Sequence, residues 1–146
     1  MKTAEFNGSD TLAVKKENII QLPLGLLGFE KVKQYVLLAN PEEEPFLWLQ
    51  MLENPNQGFV VVPPAVTVPH YAPDIAQQDI DYLGIKSASE AIVLCICTIR
   101  PDGSATVNLK GPIVINRRTL VGKQVIPTNV SSFALQHALT SLPVAA

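Results

Sequence analysis

The chain has 146 residues, 47% hydrophobic and 16% charged, which is enough apolar material for one domain with a core and excludes a disordered class. The net charge of −2 hides an asymmetry. Residues 42–90 carry eight acids (Glu42, Glu43, Glu44, Glu53, Asp74, Asp79, Asp81, Glu90) against Lys86 alone, whereas residues 91–146 carry five bases against Asp102 alone. An acidic middle repels nucleic acid and attracts basic partners, although an ordinary solvated face would carry the same charges. The longest apolar run, 91–97, falls far short of the roughly 20 residues of a membrane span. The opening "MKTAEFNGSD" holds no signal-peptide core, and two cysteines are too few for a disulfide scaffold. Together these predict a soluble cytoplasmic protein.

Twelve prolines and eight glycines argue for many short elements. "KTAEF" and "TLAV" around Asn7-Gly8 predict a hairpin, because Asn-Gly is a strong hairpin signal. In "NIIQLPLGLLGFE" a strand over 18–22 breaks at Pro23. It then turns through Gly25 and Gly28 to bring Phe29 back onto the core. Which of Leu26, Leu27 and Phe29 face inward stays open. "YVLLA", "FLWLQML" and "GFVVV" read as strands of about five residues, the first two separated by the solvated turn "NPEEEP". In "PDIAQQDIDYLG", Ile75, Ala76, Ile80 and Leu83 recur at helical spacing, with Asp74 as N-cap, Gln77 as its capping-box partner and Gly84 as the stop. Ser87 and Glu90 form a second capping-box pattern with room for only one turn.

"AIVLCICTI", 91–99, is apolar at both parities and predicts a central strand buried on both faces. "RPDGS" is a turn. The chain returns as "ATVNLKGPIVIN", with Val107, Leu109, Ile113 and Ile115 on the core parity and Thr106, Asn108, Lys110 and Asn116 on the other, wet or paired with a partner. Pro112 cannot donate to a ladder, so this strand lies at an edge or is bulged at Gly111-Pro112. "KQVI" is read as the last strand. In the tail, Ser132 caps a short helix carrying Phe133, Ala138, Leu139 and Leu142, stopped by Pro143. The expected fold is all-β: a small antiparallel β-barrel-like domain with one or two short helices. One domain spans 1–146, with the barrel in 1–128 and a tail, helical or disordered, in 129–146.

Catalytic and cofactor chemistry find little footing. Cys95 and Cys97 share a strand face in the most apolar segment, the wrong setting for an activated nucleophile, and two thiols make half a zinc site. His70 and His137 sit at no supporting spacing. Gly25 and Gly28 lack the Lys-Ser/Thr of a phosphate loop and the G-x-G-x-x-G spacing. The aromatic residues lie in the neutral and acidic part of the chain, unlike a sheet that binds RNA. An interaction module remains, with no enzyme activity, metal, cofactor, nucleic acid or membrane expected.

"LPLGLLGFE", "YVLL", "PFLWLQ", "FVVVPP" and, above all, "NLKGPIVIN" followed by "GKQVI" resemble, in order and spacing across residues 19–126, the flagellar assembly factor FliW family. The resemblance implies a β-barrel-like, non-enzymatic regulator with two partners, flagellin and CsrA, a translational repressor that covers flagellin mRNA. Export of flagellin frees the regulator to sequester CsrA, and flagellin translation resumes. It further implies an acidic surface for a basic RNA-binding partner, for which Glu42, Glu43, Glu44, Asp74, Asp79 and Asp81 are the candidates. It implies an apolar groove or sheet edge for flagellin's amphipathic ends, for which Phe29, Asn108, Lys110, Pro112 and Asn116 are the candidates. The chain departs from the family pattern at His70, where an acid is usual, in the tail from Val130, and in its mild net charge. A small-molecule-binding barrel sharing the fold is the alternative, since fold alone does not fix function.

Overall fold

The structure is a computed structural model that describes residues 18–139. The hairpin expected over 2–14 and the end of the tail at Leu142 and Pro143 lie outside the described residues.

The strands are β1 (Ile19–Gln21), β2 (Gln34–Ala39), β3 (Leu47–Met51), β4 (Gly58–Val62), β5 (Ala91–Ile99), β6 (Ala105–Val107), β7 (Ile113–Asn116), β8 (Gly122–Gln124) and β9 (His137–Ala138). Every ladder is antiparallel. The order runs β1-β2-β3-β4-β5-β6-β9, with β7 between β5 and β8 as a branch. The route β1-β2-β3-β4-β5-β7-β8 curls until its ends meet at one parallel bridge, Gln21↔Val121, where the Gln21 N–H donates to the Leu120 carbonyl at 2.9 Å. The result is the expected all-β, barrel-like architecture, without a continuous ladder to close it.

β5 is the hub and is covered on both faces, as its two apolar parities require. Leu94, with Ile92 and Ile96 beside it, joins the main core of Leu22, Leu26, Tyr35, Leu49, Val61, Ile113 and Ile115. Cys95 and Cys97 join a second core with Val62, Val107 and Leu109. A third cluster, Leu83, Val114 and Val125, seats the longer helix.

The return strand is where parity reasoning and structure part. From the Cys97↔Val107 pair to the Leu94↔Ile113 pair, β5 advances three residues (97 to 94) and its partner six (107 to 113). Three residues are therefore extra, and an odd excess reverses the facing of every side chain beyond it. Val107 and Leu109 enter the second core, whereas Ile113 and Ile115, of the same parity, enter the main core. β7 is buried on both sides and pairs β5 and β8, so Pro112 marks a bulge and not an edge.

The helices also differ from expectation. α1 (Pro64–Thr67) was not foreseen, and α2 (Gln77–Leu83) begins after Ala76, so Asp74 is no N-cap. Gly84 closes α2 at φ 68°, as predicted. Around Ser87 the single turn forms over Ala88–Glu90 without a side-chain cap. The "KQVI" strand ends at Gln124, and the described tail forms a 3-10 turn (Val130–Ser132) and then β9 on β6, not a helix.

Candidate functional site

The corner after β1 supplies one wall of an exposed apolar groove. Leu22 is fully buried, and Pro23 ends the strand. Gly25 has φ +69°, and a Cβ there would lie 2.5 Å from the Glu30 Cα, so only glycine fits. The Phe29 N–H donates to the Leu26 carbonyl at 2.7 Å, closing a tight turn with Gly28 at φ +87°. This geometry answers the open facing question. Leu26 points inward, while Leu24 and Leu27 are 54% and 82% exposed. Phe29 does not return to the core as expected. It stays partly exposed and rests edge-on against Phe59, with ring centroids 5.1 Å apart. The Gly28 N–H donates to the Glu30 carboxylate at 3.1 Å and holds its carboxyl below the usual range.

The bulge over 108–112 supplies the facing wall. The Asn108 Oδ1 accepts the Lys110 N–H at 2.9 Å, and the Lys110 Nζ donates to the Val130 carbonyl at 3.2 Å. Gln124, at the end of β8, ties the walls together: its Nε2 donates to the Gly111 carbonyl at 3.0 Å and its Oε1 accepts the Leu27 N–H at 2.9 Å. The groove encloses about 320 Å³. Leu24 and Leu27 line it together with Ile126 and Leu135, themselves 62% and 56% exposed, and Glu30 and Lys110 are its charges. Exposed apolar side chains gathered in this way mark an interaction surface.

The structure therefore keeps Asn108 and Lys110 at the groove and Phe29 on the corner that forms its wall. It takes Asn116 and Pro112 away from it. Asn116 is fully buried, and its Nδ2 donates to the Leu83 carbonyl at 2.8 Å. Its Oδ1 accepts the Arg118 and Thr119 N–H groups at 2.8 and 3.2 Å, so it fastens α2 and the β7–β8 turn instead of meeting a partner. Pro112 is buried, and its carbonyl accepts the Val125 N–H at 2.9 Å. Sequence reasoning missed Gln124, Ile126 and Leu135. They come from two separate stretches, 124–126 and the tail, and no local pattern joins these to the corner or the bulge.

The acids separate likewise. Glu42 and Glu44 are exposed and Glu43 half-buried around the 3-10 turn Pro41–Glu43, where the Asn40 Oδ1 accepts the Glu42 N–H at 3.0 Å. Asp74 is exposed, with its backbone tied to Thr128 and Asn129 at 2.8 and 2.9 Å. Asp81 is exposed on α2 and accepts from the Gln77 Nε2 at 2.8 Å. Asp79 is not a surface acid: it is buried against the Lys123 ammonium, which also lies 5.5 Å from the Tyr82 ring centre.

Burial pushes the thiols of Cys95 and Cys97 up to about 12, so neither is a thiolate near neutral pH. The Tyr71 hydroxyl beside them donates to the Leu109 carbonyl at 2.7 Å. Among the described residues, no three His, Cys, Asp or Glu side chains gather to hold a metal, and no helix is long and apolar enough to cross a membrane.

The family described as "FliW protein" matches residues 3–139. The chain belongs to the FliW family. The flagellar assembly factor FliW of Leptospira interrogans serogroup Icterohaemorrhagiae serovar Lai is 38% identical over 135 residues, covering 91% of this chain and 90% of the relative. That of Oceanobacillus iheyensis is 35% identical over 142 residues, covering 97% and 95%. A solved structure described as a crystal structure of the flagellar assembly factor FliW superposes with a TM-score of 0.80 at 34% identity, covering 90% of this chain and 92% of that one. The family membership sets the expectation against which the groove and the acids are read.

Proposed function

We propose that this FliW-family chain is a cytoplasmic, non-enzymatic regulator of flagellar assembly that binds flagellin and, when flagellin is exported, CsrA. The observation that carries the reading is the groove of Leu24, Leu27, Ile126 and Leu135, whose walls Gln124 holds in place. An amphipathic end of flagellin lays its apolar face there, and Lys110 and Glu30 at the groove set its polarity. Exposed acids, Glu42, Glu44, Asp74 and Asp81, are the surface offered to a basic RNA-binding protein. The barrel interior is filled by Tyr35, Leu49, Leu94 and Ile113, which favours a surface binder over a small-molecule barrel.

Calorimetric titration of the purified protein with flagellin and with CsrA tests this. Both bind at micromolar concentrations or tighter. Leu27→Asp weakens flagellin at least about tenfold, as loss of an apolar anchor does, while CsrA affinity and melting temperature stay as they were. Absence of binding to either partner sinks the reading.

A further inference from the structure

A second groove, of about 650 Å³, opens where β3 begins and β4 ends. Its walls are apolar and stiff: Pro45, Pro63 and Pro69 stand around Leu47 and Val66, with Glu44 at the rim. α1 closes its single turn here with the Val68 N–H donating to the Pro64 carbonyl at 2.7 Å. The Thr67 hydroxyl donates back to the Pro63 carbonyl at 3.4 Å, so the lining's one hydroxyl is already engaged. Val66 lies 67% exposed at the lip. Prolines have little conformational freedom to lose, so a ligand meets a wall that is largely preorganised.

Glu44 is the one charged residue in the groove's lining. Between Lys33 and Lys86 the sequence holds no lysine or arginine, and every lining residue comes from that stretch. Glu42, also exposed, stands two residues before Glu44. Glu44 disfavours a phosphate backbone or an acidic peptide, and a purely apolar ligand leaves its carboxylate unmatched.

We propose that this groove docks a peptide segment of another protein that presents a large aliphatic or aromatic side chain beside a lysine or arginine. The apolar side chain fills the space between Leu47, Val66 and the prolines, and the base meets Glu44. The inference shares Glu44 with the acidic surface proposed above for CsrA, but it stands whether or not that reading does, because it rests on this groove's own shape and lining.

The test uses three synthetic hexapeptides, each titrated into the full chain labelled with nitrogen-15. The first has a central Leu-Trp pair flanked by lysines, the second has glutamates for the lysines, and the third has serines for Leu and Trp. The lysine peptide shifts the amides of Glu44, Leu47, Val66 and Thr67 and saturates at millimolar concentration or below. Its affinity falls severalfold between about 50 and about 300 mM salt. The other two leave those amides in place. Glu44→Lys and Val66→Asp, both at exposed positions where folding is little affected, each abolish the shifts at unchanged melting temperature. The proposal is overturned if the lysine peptide produces no shift, if the glutamate peptide binds equally well, if the shifts fall at Leu27 and Ile126 instead, or if both variants still bind.

Discussion

Gly25 and Gly28 look alike in the sequence and differ in their surroundings. Both have positive φ, but a Cβ on Gly25 would meet the Glu30 backbone at 2.5 Å, whereas one on Gly28 meets nothing within 4 Å. Gly28→Ala should therefore cost only the left-handed strain, about 1 kcal/mol. Gly25→Ala adds a clash with main chain and should cost more than about 2 kcal/mol. Urea unfolding of the two variants measures the difference, and equal losses would contradict the corner described above. The buried cysteines allow a pH argument. Their folded values of about 12 lie above the ordinary thiol value of 9.0, so the folded state holds its protons longer than the unfolded state. Their stabilisation is complete below pH 9 and is lost as pH rises from there towards about 12. The urea midpoint should thus fall between about pH 8 and about pH 10.5, with a shallower fall in Cys97→Ala. A thiol reagent at neutral pH should label the folded chain no faster than it unfolds. Asn108 and Asn116 carry the same lesson: both stood out as polar letters on an apolar strand, but one lies at the groove and the other is fully buried.

At the level of elements, the bulge between β6 and β7 and the docking of α2 decide which residues can reach a partner. The breakers Gly111 and Pro112 announced an interruption. The number of extra residues depends on where β5 resumes pairing, and that number alone sets the facing of everything beyond it. The tail shows tertiary context overriding propensity. "SSFALQHAL" has helical spacing, but β6 offers an unpaired edge that His137 and Ala138 complete, and Phe133 packs edge-on against Tyr71 at 4.7 Å. α2 is held by Leu83 in the third cluster and by the Asp79–Lys123 pair, whose side chains are 7% and 25% exposed. A pair intermediate between exposed and buried should show a coupling of about 1–3 kcal/mol in an Asp79→Ala, Lys123→Ala double-mutant cycle followed by thermal unfolding. Additive losses would mean that the pair does not fasten the helix.

Across the whole molecule, the two kinds of surface should answer differently to salt. The Leu27 groove is apolar with one charge of each sign, whereas Glu44 and Asp81 are exposed acids. On the proposed function, raising salt from about 50 to about 300 mM should weaken CsrA binding severalfold and flagellin binding much less. Parallel titrations with the two partners read this directly, and equal salt dependence would remove the assignment of charge to one partner and apolar contact to the other. The β class, the central burial of β5, the Gly84 stop and the corner at Pro23 were all written in the sequence, because each follows from local backbone preference or from a short apolar period. The ordered blocks from "LPLGLLGFE" to "GKQVI" were enough to place the chain in its family. The groove was not legible, because it gathers residues 24–30, 108–111, 124–126 and 135, and their meeting depends on the curl of the sheet and on Gln124 bridging two loops. Nor could the sequence separate Asp79 from Asp81, or Asn116 from Asn108. Local pattern records the polarity of a residue, while its burial is fixed by what the rest of the chain brings against it.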